Sequence, residues 1–124
     1  SIGIINDPDF GPAIMISVGG TFIDLLDDKV IMMAPFNEKQ IKAKIKSLKS
    51  YKLLKGFRGS EKLSETKLCQ AAAAFSHLAW DLKDFIIEAD INPLTITREN
   101  ALALDSLILK KEKIWFYDLS YYEA

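Results

Sequence analysis

The sequence has few of the features that crosslink a chain or anchor it in a membrane. Cys69 is its only cysteine, which excludes an intramolecular disulfide and a zinc site built from cysteines. So little cysteine is typical of a reducing compartment, and we expect a cytoplasmic protein. No apolar run approaches the roughly 20 residues of a membrane-spanning helix, and no cationic start precedes an apolar core. We therefore expect neither a membrane span nor a secretory signal.

An excess of charge of one sign is also lacking. The 16 basic and 17 acidic side chains leave a formal net charge of −1, which argues against a surface built wholly for nucleic acid or an anionic membrane. Lysines do cluster between Lys39 and Lys55, around one predicted helix. A solvated helix face is the usual explanation for such a cluster, and a phosphate- or nucleic-acid-binding patch is the alternative. Nucleic acid is not an expected partner.

What the sequence does contain is the composition of a single folded domain. Its 124 residues, 49% of them hydrophobic, are enough to bury a core. The opening run Ile2-Gly3-Ile4-Ile5-Asn6 has the pattern of the end of a strand, and no initiator Met precedes it. We expect the chain to be a piece of a longer protein.

The order of apolar patterns predicts strands, then two helices, then strands again. Apolar, β-branched runs predict strands at Ala13–Val18, Thr21–Leu26 and Lys29–Ala34. Asn37 and Gln40 have the spacing of a capping box, and Ser64 is suited to cap a second helix. A long hairpin, Phe85–Thr97 with Ala101–Leu109, is predicted to follow. This order indicates an α+β fold, a largely antiparallel sheet with two helices packed on it.

The most informative stretch is the first arm of that hairpin. A strand over 87–92 places its apolar side chains on one face, namely Ile87, Ala89 and Ile91. Glu88, Asp90 and Asn92 then share the other face. Pro93 interrupts the ladder, and the apolar residues beyond it follow the opposite parity, which predicts a bulge at this point.

The second arm carries a lone carboxylate, Asp105, inside an apolar run. Such a group is unfavourable unless it is solvated, paired or bound to a cation. A two-residue turn at Arg98-Glu99 sets Asn92 directly opposite Asp105. Carboxylate and amide oxygens on neighbouring strands suit Mg²⁺. Asp90, Asn92 and Asp105 are therefore candidate metal ligands, and on spacing alone a solvent-facing strand remains the alternative.

Several short blocks occur in an order that carries a family resemblance. They are Asp7-Pro8-Asp9-Phe10-Gly11-Pro12, Gly19-Gly20-Thr21-Phe22-Ile23-Asp24, Ala34-Pro35, Leu53-Leu54-Lys55-Gly56-Phe57-Arg58-Gly59, Glu88-Ala89-Asp90-Ile91-Asn92-Pro93-Leu94 and Ala103-Leu104-Asp105. Together they resemble the C-terminal part of the ATP-grasp domain of NDP-forming acyl-CoA synthetases, such as the β subunit of acetyl-CoA synthetase. The resemblance covers residues 1–109. The aromatic tail, 110–124, is expected to add a strand or to contact another domain.

The resemblance implies that ATP or ADP lies between two α+β lobes, with Mg²⁺ bridging its phosphates. The implied reaction converts acyl-CoA, ADP and phosphate to acid, CoA and ATP, reversibly, through a phosphohistidine. Catalysis of this kind consists mainly of positioning and charge neutralisation. The implied partners are the nucleotide and the CoA-ligase domains or subunit of the same enzyme.

The resemblance also assigns roles to single residues. Asp90, Asn92 and Asp105 match the metal motif, and Glu88 flanks it. Arg58 lies between glycines, where its guanidinium fork would suit phosphate, whereas a salt bridge that anchors its loop is the alternative.

The sequence also departs from the family pattern. Asp24 stands where the family usually has Glu, and Met32 or Met33 stands where a basic residue is common. By the resemblance, the lobe with the adenine-contacting lysine, the phosphohistidines and the CoA-binding domains are expected to lie outside this sequence. We therefore expect weak nucleotide binding and no turnover by this chain alone. Two alternatives stay open, a regulatory module of an acetyltransferase-fused lysine acetyltransferase and a non-catalytic structural remnant.

Overall fold

The computed structural model describes residues 1–18, 27–56, 59 and 62–111. Within these ranges the strands are β1 (Ile2–Asp7), β2 (Gly11–Ser17), β3 (Lys29–Met33), β4 (Ile86–Ile91), β5 (Leu94–Ile96), β6 (Ala101–Ala103) and β7 (Ser106–Lys110). The helices are α1 (Glu38–Ile45), α2 (Tyr51–Leu54) and α3 (Glu65–Asp81). The predicted strand Thr21–Leu26 and the tail beyond Lys111 lie outside the described residues. No helix among the described residues is long and apolar enough to cross a membrane.

The strands form one main sheet and one small ladder. The main sheet has the order β3-β2-β1-β4-β7 and is antiparallel throughout, and β5 pairs with β6 separately. The predicted α+β class is thereby confirmed. The two predicted helices are α1 and α3, and the structure adds the short helix α2 between them.

Capping residues set the starts of both main helices, as the sequence predicts. The Asn37 side-chain oxygen accepts the Gln40 N–H at 2.8 Å, and the Gln40 side chain accepts the Asn37 N–H at 2.8 Å, which completes the capping box. The Ser64 hydroxyl accepts the Lys67 N–H at 3.2 Å. These contacts satisfy backbone donors that a helix start leaves without partners.

The helices cover one face of the sheet and bury it. Ile4 lies between Ile14 on β2 and Ala89 on β4, and all three are almost completely buried. Ala72 of α3 is fully buried among them, because its small side chain lets the helix lie close to the strands. The thiol of Cys69 is in the same core, where burial raises its pKa to about 11. Cys69 is therefore a packing residue.

One buried carboxylate connects the start of β3 to the helices. Asp28 accepts the backbone N–H of Lys49 at 2.7 Å and that of Ser50 at 2.8 Å, and it also accepts the Ser50 hydroxyl. Burial acts to raise the pKa of Asp28, but these hydrogen bonds outweigh it and hold the pKa below its ordinary value. Asp28 thereby fixes the junction between α1 and α2.

The predicted long hairpin is split into two ladders, but its register is as predicted. Asp90 pairs with Leu107 before the break and Leu94 pairs with Ala103 after it, so no residue is inserted between them. The predicted bulge at Pro93 is wrong. Regular pairing stops at the same point on both strands, after Ile91 and before Ser106, and resumes at Leu94 and Ala103. Pro93 lies in this gap and has no backbone N–H to donate. The Leu104 N–H instead donates to the Pro93 carbonyl at 3.1 Å.

The irregularity lies earlier, between Ile86 and Glu88. There the Asn6 side-chain amide donates to the Ile86 carbonyl at 3.0 Å, in place of a main-chain ladder bond from β1. The shift turns Ile86 inward and leaves Ile87 49% exposed. The prediction that Ile87 shares the buried face with Ala89 is therefore wrong.

Candidate functional site

The face of the sheet without helices carries both acids of β4. Asp90 lies between Gly3 on β1 and Leu107 on β7, and Glu88 lies in the next row between Ile5 and Leu109. We call this surface the open face. It consists of the residues that alternate with the buried ones along each strand.

Gly3 leaves space for the Asp90 carboxylate. A Cβ at Gly3 would lie 3.4 Å from the Asp90 side-chain oxygen and 3.5 Å from the Ala89 carbonyl. Asp90 is half-buried, whereas Glu88 is exposed. This position of Gly3 could not be predicted from the sequence, because it depends on the pairing of two distant strands.

The break in the hairpin brings Asn92 and Asp105 together. The Asn92 N–H donates to the Asp105 carbonyl at 3.1 Å, which confirms that the two residues are opposite each other. One oxygen of the Asp105 carboxylate accepts the Ser106 N–H at 2.8 Å, and the side chain is exposed. Solvent therefore stabilises the lone carboxylate that the sequence places in an apolar run.

Strand geometry places the three candidate ligands on one small area. Asp90 is on β4, Asn92 directly follows the end of β4, and Asp105 directly precedes β7 and lies opposite Asn92. The donor set is two carboxylates and one amide, all oxygen. Among the described residues no group of three or more His, Cys, Asp or Glu side chains could hold a metal ion. The set fits Mg²⁺ if water and phosphate supply the remaining ligands, and it does not form an all-protein cage.

Four other residues named from the sequence are Arg58, Asp24, Met32 and Met33. Arg58 and Asp24 lie outside the described residues. Of the two methionines, Met33 is on the open face opposite Ala13, and Met32 is on the helix-covered face opposite Ile14. Met33 is therefore the position at which a basic side chain would meet a ligand on this surface. His77 is exposed on α3.

The open face is also strongly apolar, which the sequence analysis missed. Large side chains there are between 43% and 59% exposed, namely Ile5, Ile31, Met33, Leu107 and Leu109. Exposed apolar surface of this extent is typical of a place where another domain or a ligand binds, although the acids of β4 divide it into two parts. The alternation of residues along a strand does not predict this exposure, because another layer of the same chain could have covered these side chains.

Comparisons with known proteins identify the family and the fold. Residues 1–109 match the ATP-grasp domain family. The chain is 38% identical over 112 residues to the acetate–CoA ligase (ADP-forming) II subunit β of Pyrococcus furiosus, covering 89% of this chain and 48% of the relative. It is 37% identical over 95 residues to a 4-hydroxybutyrate–CoA ligase (ADP-forming) of Nitrosopumilus maritimus, covering 77% of this chain and 14% of that protein.

A solved structure gives the same relationship in three dimensions. It is an acetyl-coenzyme A synthetase 1 of Ca. Korarchaeum cryptofilum in complex with coenzyme A and Mg-AMPPCP. The TM-score is 0.82 at 33% sequence identity, and the match covers 89% of this chain and 51% of the other. The chain spans about half the length of the first β-subunit relatives it matches, 48% and 46%.

Proposed function

Since this chain belongs to the ATP-grasp family of ADP-forming acyl-CoA synthetases, we propose that it forms the magnesium–nucleotide end of such an enzyme's cleft. The observation that supports the proposal is the β4–β7 register, in which Asp90 is on β4 and the backbones of Asn92 and Asp105 are bonded to each other just beyond it. The parent enzyme would convert acyl-CoA, ADP and phosphate to acid, CoA and ATP, reversibly, in the cytoplasm.

The chain's own residues would hold and orient the metal. Asp90 and Asp105 would supply the two negative charges, and the Asn92 amide oxygen a neutral third ligand, so that Mg²⁺ retains positive charge for phosphate. Gly3 would keep the Asp90 carboxylate free to face the metal. Bound Mg²⁺ would neutralise charge on the transferring phosphoryl group. Arg58 would contact phosphate from its glycine-flanked loop.

The apolar part of the open face supports a cleft with a second wall. Ile5, Met33 and Leu109 lie in one row across the sheet and are exposed, with Glu88 between Ile5 and Leu109. Burial of such a row is favourable by about 25 cal/mol per Å² of apolar surface. We propose that the other ATP-grasp lobe and the nucleotide cover it, and that the CoA-ligase domains or subunit complete the enzyme. The chain alone would turn nothing over.

A paramagnetic metal tests the ligand assignment directly. Mn²⁺ with ADP is titrated into the ¹⁵N-labelled chain, and amide line broadening is followed by NMR. The expected result is selective broadening at residues 88–92 and 103–107, and its loss in Asp105→Asn. Asp81→Asn, on the exposed end of α3, is the matched control and should broaden like the wild type. Broadening that is unaltered in Asp105→Asn, or centred elsewhere, would overturn the assignment.

A further inference from the structure

Away from the open face, a polar cleft of about 630 Å³ lies at the start of α3. Its walls carry four positively charged side chains, namely Lys42, Lys55, Lys62 and Arg98. None of the proposed magnesium ligands lines it. The volume is within the range of small-molecule sites, about 300–1,000 Å³.

The four cations come from separate parts of the chain and are brought together by backbone contacts. The Ser64 N–H donates to the Thr97 carbonyl at 2.8 Å, which holds the β5–β6 turn, and with it Arg98, beside the start of α3. The Leu63 N–H donates to the Leu54 carbonyl at 3.0 Å, which holds the segment of Lys62 against the end of α2. Backbone hydrogen bonds of the fold therefore hold the walls of the cleft in place.

One of the cations already has a protein partner. Lys55 pairs with the Glu65 carboxylate at 2.8 Å, and the Tyr51 hydroxyl donates to both oxygens of the same carboxylate at 3.0 Å. Burial acts to raise the pKa of Glu65, but these hydrogen bonds outweigh it and the pKa lies below its ordinary value. Glu65 is therefore a charged, satisfied group, and Lys55 belongs to the frame of the cleft.

Lys62 and Arg98 have no hydrogen-bond or ion-pair partner in the part of the chain that the structure describes. Lys42 interacts electrostatically with Glu65, whose carboxylate also lines the cleft and is already paired with Lys55. Lys42, Lys62 and Arg98 repel one another in one cavity, and an anion would relieve that repulsion. A guanidinium fork with two ammonium groups suits the several oxygens and charges of phosphate groups. A nucleic acid would need an extended basic surface, and the chain has a net charge of −1.

We propose that this cleft binds the diphosphate group of a small molecule, as a site separate from the open face. Arg98 would grip one phosphate with two parallel hydrogen bonds, and Lys42 and Lys62 would neutralise the other. Free pyrophosphate, a nucleoside diphosphate and coenzyme A all carry this group. The sequence left two explanations for the lysines between Lys39 and Lys55, a solvated helix face and a phosphate patch. Under this proposal Lys42 and Lys55 belong to a phosphate site, and the other lysines of the cluster are solvated.

Calorimetric titration of sodium pyrophosphate into the chain tests the site. The buffer is phosphate-free and stripped of divalent cations on a chelating resin, so that no metal-dependent binding contributes. We expect saturable binding that weakens about tenfold or more in Lys42→Ala and in Arg98→Ala. Lys44→Ala removes the same charge from the same helix outside the cleft and should bind like the wild type. Arg98→Lys should lose part of the affinity, because it keeps the charge without the fork.

Parallel titrations identify the source of the diphosphate. Tighter binding of ADP or of coenzyme A than of pyrophosphate, with the same loss in Arg98→Ala, would assign the organic ligand, and equal binding would assign the bare diphosphate. The proposal is overturned if pyrophosphate does not saturate, or if Lys44→Ala weakens binding as much as Lys42→Ala. It is also overturned if only a polyglutamate peptide binds. Thermal melts of each variant confirm that these exposed substitutions leave the fold intact.

Discussion

The two faces of the main sheet differ in how far the rest of this chain buries them. On the helix-covered face, Ile4 is 2% exposed and packs under α3, whereas its neighbour Ile5 on the open face is 50% exposed. The first face carries the core, except at the edge strand β7, where Ile108 is 54% exposed. The second face combines exposed apolar side chains with the proposed metal ligand Asp90. The contrast shows that the chain buries one face of the sheet, and it supports the proposal that the other face binds a ligand or another domain.

Truncation of neighbouring isoleucines gives the largest expected difference between the faces. Ile4→Ala should lower the free energy of unfolding by about 2–5 kcal/mol, because it leaves a cavity in a core that cannot collapse. Ile5→Ala removes an equal volume from an exposed position and should change it by less than about 1 kcal/mol. Urea unfolding followed by circular dichroism measures both. Equal losses would contradict the assignment of the two faces.

Removal of the buried charge at the α1–α2 junction should have the next largest effect. Asp28→Asn keeps the size of the side chain but replaces charge-assisted hydrogen bonds to Lys49 and Ser50 with weaker ones. We expect a loss of about 1–3 kcal/mol in the free energy of unfolding. Asp27→Asn, at an exposed neighbouring carboxylate, serves as the control and should differ little from the wild type. An unchanged stability of Asp28→Asn would show that the junction does not depend on the charge.

The pH dependence of stability should follow Asp28 and Glu65. Both have pKa values held below their ordinary values in the folded protein. Their contribution is therefore fully present above the unfolded pKa values, near 4, and is lost as the pH falls through the folded values. Melting temperatures between pH 7 and pH 2 should drop in this acidic window, and Glu65→Gln should flatten the drop. A melting temperature that rises on acidification would contradict the sign.

The smallest expected change in stability concerns Gly3. Gly3→Ala places a Cβ 3.4 Å from the Asp90 carboxylate oxygen, which the side chain avoids by rotating, and an alanine is favoured over glycine within a strand. We expect stability within about 1 kcal/mol of the wild type and weaker Mn²⁺-ADP binding. Metal binding by NMR and urea unfolding separate the two effects. Unaltered metal binding would show that Asp90 does not need the space.

The sequence predicted the helix caps and the β4–β7 register well, because both depend on short-range spacing. The capping box at Asn37 needs only a partner at Gln40, and the pairing of Asn92 with Asp105 needs only the length of one turn. The predicted face of Ile87 was wrong because it depends on a long-range contact. The irregularity beside it depends on Asn6, some eighty residues away in sequence, whose amide takes the Ile86 carbonyl.

In the candidate site, too, features within one hairpin could be predicted from the sequence, whereas features that join distant segments could not. Asp90, Asn92 and Asp105 could be named from one hairpin. The space left by Gly3 and the cleft of Lys42, Lys62 and Arg98 could not, because each depends on segments that meet only in the folded protein. The apolar open face was missed since strand patterns do not tell which face a second layer covers.

The central claim is that the open face holds a magnesium-bound nucleotide through Asp105 and its two neighbours. Calorimetric titration of Mg-ADP into the full-length protein and into its Asp105→Asn variant tests it most directly. We predict a loss of affinity of about tenfold or more in the variant with Mg²⁺ present, and a much smaller difference in metal-free buffer. Equal affinity of the two proteins for Mg-ADP would contradict the claim.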